Sequence, residues 1–223
     1  MALVIFDLDG TLIETADEIA MAVNRTLKDF NARPASDADV RRWIGHGTGW
    51  LMKQAWADSV GDPEQTDWQG VMDRFIGHYF DTAGTQSHLY PRVEETLKTL
   101  GERGIRRAIV TNKENRFTER VVEAHGLQHL IDLVISGDTL PTKKPHPGGI
   151  QHCMTHFGES TGSTLFVGDS EIDVQTARAA DVPVWAVPYG YNHGRPIAMA
   201  EPDRIVDDIS PVVSFLPGFS KPT

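Results

Sequence analysis

A chain of 223 residues, 40% hydrophobic and 23% charged, has room for one large domain, or one domain carrying an insert, around an ordinary core. With 21 basic against 31 acidic residues and a net charge of −10, it is a poor partner for nucleic acid or an anionic membrane surface, and its first apolar run is far too short for a signal peptide or a span. A single cysteine, Cys153, excludes an internal disulfide and fits a reducing, cytoplasmic setting.

The run Leu3-Val4-Ile5-Phe6 predicts a strand over 3–7. It lacks polar alternation, as strands covered on both faces do. It leads into Asp7-Leu8-Asp9-Gly10-Thr11-Leu12. Residues i and i+2 of an extended chain share a side, so Asp7 and Asp9 are expected to point the same way. Gly10 lets the backbone approach a ligand, and Thr11 can hold the turn. Two like charges buried together need a cation or a proton between them. The pair is therefore either a solvated strand end or a metal-supported nucleophile with an acid/base partner.

From 14 to 83 the pattern is helical, over 14–31, 37–44, 48–58 and 64–82, with no convincing strand. Ser36 followed by Asp39 resembles a helix-start box, and Pro63 suits a first helical turn. A connection of about 70 residues between two strands implies a functional module. The expected division is a core of residues 1–13 and 84–223 with an all-helical insert over 14–83.

Beyond the insert, Val93 to Leu100 is amphipathic and stops at Gly101 or Gly104. Strands are predicted at 106–111, 131–136, 164–168 and 183–187, alternating with helices such as Phe117 to His125 and Ile172 to Ala180. Ile150, Cys153 and Phe157 share a helical face, which makes Cys153 a buried filler rather than a nucleophile. This alternation predicts an α/β fold with a doubly wound, mainly parallel sheet. The proline-containing tail from Ser210 to Thr223 is expected to be loosely held.

Three further strand ends or loops carry polar groups. Ile109-Val110 runs into Thr111-Asn112-Lys113, and Leu165-Phe166-Val167 runs into Gly168-Asp169-Ser170, with Asp173 four residues after Asp169. Between them lies Lys143-Lys144-Pro145-His146-Pro147. In a parallel sheet these ends share one edge, where ligands bind.

Taken in order, Asp7-x-Asp9-Gly10-Thr11, then Thr111, then Lys144-Pro145, then Gly168-Asp169-Ser170-x-x-Asp173 resemble the four motifs of the haloacid dehalogenase-like superfamily. The insert after the first motif resembles that superfamily's helical cap. The resemblance implies a Rossmann-like core and Mg2+-dependent chemistry. Asp7 would be the nucleophile that forms an aspartyl-phosphate, and Asp9 the general acid and base. Mg2+ would be held by the Asp7 carboxylate, the Asp9 backbone carbonyl and Asp169, with Asp173 acting through water. Thr111 and the backbone amides of Gly10 and Asn112 would hold phosphoryl oxygens, and Lys144 would neutralise their charge. The motif places its lysine directly before proline, which selects Lys144 over Lys143. An acid at position 9 argues for phosphate esters over halides, because an alkoxide leaves better with a proton; a positioned acid is worth on the order of 10²–10⁴ in rate.

Within the superfamily the chain is most similar to the phosphoglycolate phosphatases, on Val110-Thr111-Asn112-Lys113, Arg41-Arg42-Trp43-Ile44-Gly45-His46-Gly47, Tyr189-Gly190-Tyr191-Asn192 and Pro202-Asp203-Arg204-Ile205-Val206. That similarity implies 2-phosphoglycolate as substrate. Gly45 and Gly47 would let cap amides approach the substrate's far end, where Arg42 or His46 would meet a carboxylate. The other reading of this segment is a plain helix–turn–helix elbow with Arg42 exposed. The alternatives are a phosphatase of another small metabolite (a sugar phosphate or pyrophosphate), a sugar phosphomutase, and a non-catalytic phosphometabolite-binding protein. The expected partner is a small phosphorylated metabolite, with neither nucleic acid nor membrane; nothing in the sequence sets an oligomeric state.

Overall fold

Leu3, Val4, Ile5 and Phe6 are fully buried, and they form the central strand of the computed structural model, which describes residues 2–62 and 67–215. In chain order the elements are β1 (Leu3–Phe6), β2 (Ile13–Glu14), α1 (Ala16–Asp29), α2 (Asp37–Trp43), α3 (Thr48–Ser59), α4 (Trp68–Thr82), β3 (His88–Leu89), α5 (Val93–Glu102), β4 (Arg106–Val110), α6 (Asn115–Ala124), β5 (Leu133–Ile135), α7 (Gly148–Phe157), β6 (Thr164–Gly168), α8 (Glu171–Ala179), β7 (Val184–Ala186) and β8 (Arg204–Ile205).

Six strands form one sheet in the order β5-β4-β1-β6-β7-β8, and every neighbouring pair is parallel. Side chains alternate across a strand, so β1 feeds two separate cores. Val4 and Phe6 pack in the layer that holds α5, α6 and the helices α1 to α4, whereas Leu3 and Ile5 face Ile150 and Cys153 of α7 and Val174 and Ala177 of α8. The sheet is therefore doubly wound, as the strand–helix alternation predicts. The chain leaves β1 for β4 and β5 on one side, then crosses to β6, β7 and β8 on the other. The strand order thus reverses beside β1, and an open α/β sheet leaves a crevice at the carboxyl ends of its strands there.

The helices α1 to α4 follow one another without an intervening strand and are bracketed by β2 and β3, which pair antiparallel. These two strands and β8 were not anticipated: each has two residues, too few for an apolar run to register. The helix expected from 64 is observed from Trp68, where Asp67 accepts from the Gly70 amide at 3.2 Å; Pro63 lies outside the described residues. Ser36 caps α2 by accepting from the Asp39 amide at 3.2 Å, as its spacing suggests. The tail departs from expectation. Ser210–Ser214 forms a 3-10 turn, Val212 and Phe215 are buried, and Phe215 meets Trp185 edge-on at 6.2 Å. Two apolar anchors hold the chain as far as Phe215; Pro217 and Pro222 lie outside the described residues. No helix among the described residues is long and apolar enough to cross a membrane.

Cys153 has no exposed surface, and burial pushes its thiol up to about 12. The reactive species is the thiolate. Iodoacetamide at about pH 8 should therefore leave the folded protein unmodified by mass spectrometry and label it once urea has unfolded it; native labelling at the rate of a free thiol would contradict this placement.

Candidate active site

Asp7 follows the last residue of β1, and its amide donates to the Val167 carbonyl of β6 at 2.9 Å. The chain then turns at once. The Leu12 and Ile13 amides both return to the Leu8 carbonyl, at 3.0 and 3.1 Å, and the Gly10 amide donates to the Ile13 carbonyl at 2.9 Å. This turn changes two expectations. The Gly10 N–H is committed to closing the loop, so it is not free to hold a phosphoryl oxygen. Asp7 and Asp9 also do not share a direction by strand pleating, because the strand ends at Phe6. Both line one cavity, but they pair with different lysines.

Asp7 belongs to an acidic cluster. Ligand oxygens of Asp7, Asp169 and Asp173 lie within 4.8 Å of one another, and all three residues are buried. Lys144 Nζ stands between them, 2.7 Å from Asp7 Oδ1 and 2.7 Å from Asp173 Oδ1. Its contact with Asp7 is an ion pair, and no other donor among the described residues reaches Asp7 Oδ1. Desolvation pushes the Asp7 carboxyl up to about 7 against the opposing charge of Lys144, and the neighbouring Asp173 and Asp9 add to the rise. Asp169 is raised well above the usual carboxylate range, again by burial first and then by Asp173 and Asp7. Burial alone would drain charge from Lys144, but the two carboxylates overcome it and lift its pKa. Three acids share one ammonium, and charge of one sign buried without a partner is costly. Hard oxygen donors with two uncompensated negative charges match a divalent cation.

The surroundings fix these acids firmly. Thr11 Oγ1 donates to Asp169 Oδ1 at 2.7 Å and the Tyr191 amide donates to Asp169 Oδ2 at 2.5 Å. Asp173 Oδ2 accepts from the Asp169 amide, the Ser170 amide and Ser170 Oγ, at 3.1, 3.1 and 2.7 Å. It is the capping box of α8. With Lys144 on its other oxygen, Asp173 has little capacity left to hold an ion directly.

Asp9 stands apart from this cluster. Its Oδ1 accepts from Thr15 Oγ1 and from Lys113 Nζ, both at 2.6 Å, while Oδ2 has no donor among the described residues. Lys113 is buried, and its ammonium lies 5.1 Å over the ring of Tyr79. The sequence reading gave Lys113 no role. The available signal was its position: it follows a buried strand at the same sheet edge as Asp9.

The cavity between sheet edge and helices encloses about 450 Å³, solvent at its mouth included. Asp7, Asp9, Thr111, Asn112 and Lys113 form its floor, while Ile44, Leu51, Phe75 and Tyr79 supply an apolar roof. Asn112 joins the two sides by donating from Nδ2 to the carbonyls of Gly45 and Lys144, at 2.9 and 3.0 Å. Gly45, Gly47 and Thr48 reach the cavity, but Arg42 and His46 are absent from its lining. Arg42 is about half exposed and pairs with Asp39. The His46 ring stacks on His193 at 5.1 Å and lies 4.6 Å from Trp50; burial, with His193 and Lys143, lowers its pKa. The side chain on the helix end that faces the cavity is the apolar Ile44. Neither Arg42 nor His46, the residues expected to meet a carboxylate, lines the cavity. Lys143 donates to the His46 carbonyl at 3.1 Å, outside the acidic cluster where Lys144 sits.

Residues 4–187 match the family model described as haloacid dehalogenase-like hydrolase. The chain is 36% identical over 215 residues to the phosphoglycolate phosphatase of Nitrosococcus oceani, covering 96% of each chain. It is 38% identical to that of Haemophilus influenzae strain 86-028NP, covering 95% of this chain and 96% of the relative. The crystal structure of a predicted phosphoglycolate phosphatase from Haemophilus somnus superposes with a TM-score of 0.90 at 35% identity, covering 96% of this chain and 97% of the other.

Gly10 has φ +85°, and a Cβ there would lie 2.5 Å from Asp169 Oδ2 and 2.9 Å from the Tyr191 ring. Gly10→Ala should cost on the order of 1–3 kcal/mol from backbone strain alone and displace Asp169. A melting temperature lowered by several degrees, together with weakened divalent-cation stabilisation, is the expected result; an unchanged melt and unchanged metal response would refute this packing.

Proposed function

Because the chain belongs to the haloacid dehalogenase-like hydrolases, we propose that it is a magnesium-dependent phosphoric monoester hydrolase that splits 2-phosphoglycolate into glycolate and phosphate. The relatives named above support the substrate. The observation that carries the chemistry is the division of labour between two neighbouring acids: Asp7 sits in the Lys144 cluster, whereas Asp9 is held outside it through Oδ1, its Oδ2 without a donor among the described residues. Displacing a halide has no use for a second, separately held acid at the cavity floor; expelling an alkoxide does.

In this reading the Asp7 carboxylate attacks phosphorus, the bond from phosphorus to the bridging oxygen breaks, and an aspartyl-phosphate forms. Asp9 gives its proton to the departing oxygen. It then takes a proton from the water that hydrolyses the aspartyl-phosphate and so restores both carboxyls. Lys144 balances charge on the phosphoryl oxygens, with Thr111 and the Asn112 backbone amide as donors. Asp7 and Asp169 would hold the magnesium ion, with the Asp9 carbonyl beside them and Asp173 acting indirectly because its oxygens are already taken. When bound, the ion supplies the positive charge that a dianionic phosphoryl group needs. The helical stretch 14–83 serves as a lid whose apolar underside keeps bulk water from the aspartyl-phosphate.

Three expectations test the roles. Asp7→Asn should abolish phosphate release while leaving the fold intact, and chelation by EDTA should reversibly stop the unmodified enzyme until magnesium is restored. Turnover by Asp7→Asn, or by the chelated enzyme, would remove the nucleophile or the metal from the scheme. Formation of a phosphate isomer from a sugar monophosphate without phosphate release would indicate a mutase instead. Asp9→Asn should slow 2-phosphoglycolate hydrolysis by on the order of 10²–10⁴ and p-nitrophenyl phosphate much less, because nitrophenolate leaves without a proton. Equal losses on both esters would argue against a leaving-group acid.

A further inference from the structure

With Arg42 and His46 outside the cavity lining, the far end of an acidic substrate needs a counter-charge from elsewhere. Among the described residues lining the cavity, Lys113 is the one cation. Its side chain is almost wholly buried. Among the described residues its ammonium donates one hydrogen bond, to Asp9 Oδ1, and rests over the Tyr79 ring. An ammonium has three donors, so capacity remains for an anion in the cavity. Glu18, which lies within electrostatic reach of Lys113, accepts from the Gly84 amide at Oε2, 2.8 Å away, and its Oε1 has no hydrogen-bond partner among the described residues.

We infer that Lys113 is the specificity-determining residue, binding the substrate's carboxylate directly beside the bond being broken. This inference rests on the phosphomonoesterase reading above and names the group that selects its substrate. The reach is set by Asp9. If Asp9 Oδ2 serves the bridging oxygen, Lys113, held on Oδ1 of the same carboxyl, lies beside the next atoms of the substrate. In 2-phosphoglycolate a single methylene separates the bridging oxygen from the carboxylate, so the carboxylate falls next to the lysine. A longer acid would carry its charge past Lys113 into the apolar roof of Ile44, Leu51 and Phe75, where an unpaired carboxylate is costly. Anchoring Asp9 does not by itself account for Lys113, because Thr15 Oγ1 already holds the same oxygen at 2.6 Å.

The test compares 2-phosphoglycolate with 2-hydroxyethyl phosphate, which differs only in a hydroxymethyl group where the acid has its carboxylate. Both are assayed on the magnesium-loaded enzyme and on Lys113→Met, with Lys113→Gln in its place should the first variant fail to fold. Wild type should prefer the acid in kcat/KM. The substitution should cut that preference by about 10- to 100-fold, the worth of a charge-assisted hydrogen bond, chiefly through KM for the acid. Equal losses on both esters would mean that Lys113 serves Asp9 alone; that would overturn the inference while leaving phosphoglycolate hydrolysis standing. A wild-type enzyme that turns over both esters equally, or neither, would overturn the inference and the substrate reading together.

Discussion

The site depends on the burial of three carboxylates around a single ammonium. Water would solvate Asp7, Asp169 and Asp173 at little cost; the sheet edge withholds it, and burial raises Asp7 and Asp169 above their ordinary range. The surrounding structure supplies what water does not. Thr11 and the Tyr191 amide hold Asp169, and the first turn of α8 holds Asp173. Asp173 therefore does two jobs with one side chain. It satisfies amides that a helix start leaves unpaired, and it sets the position of Lys144 through the 2.7 Å contact on its other oxygen. Removing that carboxylate would fray the helix and release the lysine together, so the stability and the electrostatics of this edge are not separable.

Topology explains why these residues meet at all. Asp7, Thr111 and Asp169 each follow a strand of one parallel sheet, and β1 lies between β4 and β6. Parallel register places all three carboxyl ends on one edge, and the reversal of strand order beside β1 opens the space between them. Lys144 comes from the loop that leads from β5 to α7 and reaches the same edge. The close fit of glycines completes the cluster: added Cβ atoms at Gly10 or Gly190 would strike Asp169 Oδ2 at 2.5 or 2.2 Å.

Much of this was legible because a buried parallel strand announces itself as an unbroken apolar run, so the polar residue that ends it is conspicuous. Asp7, Thr111 and Asp169 follow that rule. Lys113 was passed over because its meaning depends on Asp9, 104 residues away, and no local pattern encodes such a pairing. Arg42 and His46 misled for a related reason. Their charge suggests substrate contact, but α2 ends at Trp43 and the chain turns extended at Ile44, and it is the Ile44 side chain that lines the cavity. The Gly10 amide, expected to hold a phosphoryl oxygen, instead closes the turn on the Ile13 carbonyl, a demand invisible until the chain direction after Asp9 is known. The two-residue strands escaped because periodicity needs several residues to register, although β2 and β3 bracket the whole helical stretch.

The global and local charges of the molecule oppose one another, and the opposition is itself selective. A net charge of −10 repels extended polyanions, whose many charges would meet the acidic surface. Exposed charges are screened by salt over roughly 10 Å, whereas Lys113 lines the roofed cavity and Lys144 is buried behind Asp7, where a charge acts in a less polarisable medium than water. A small anion that fits wholly inside the cavity would therefore experience these buried lysines more strongly than the distant surface. An anion too large to enter experiences chiefly the surface. On the proposed function, size and charge would thus be read by the same arrangement, with the apolar roof coupling them.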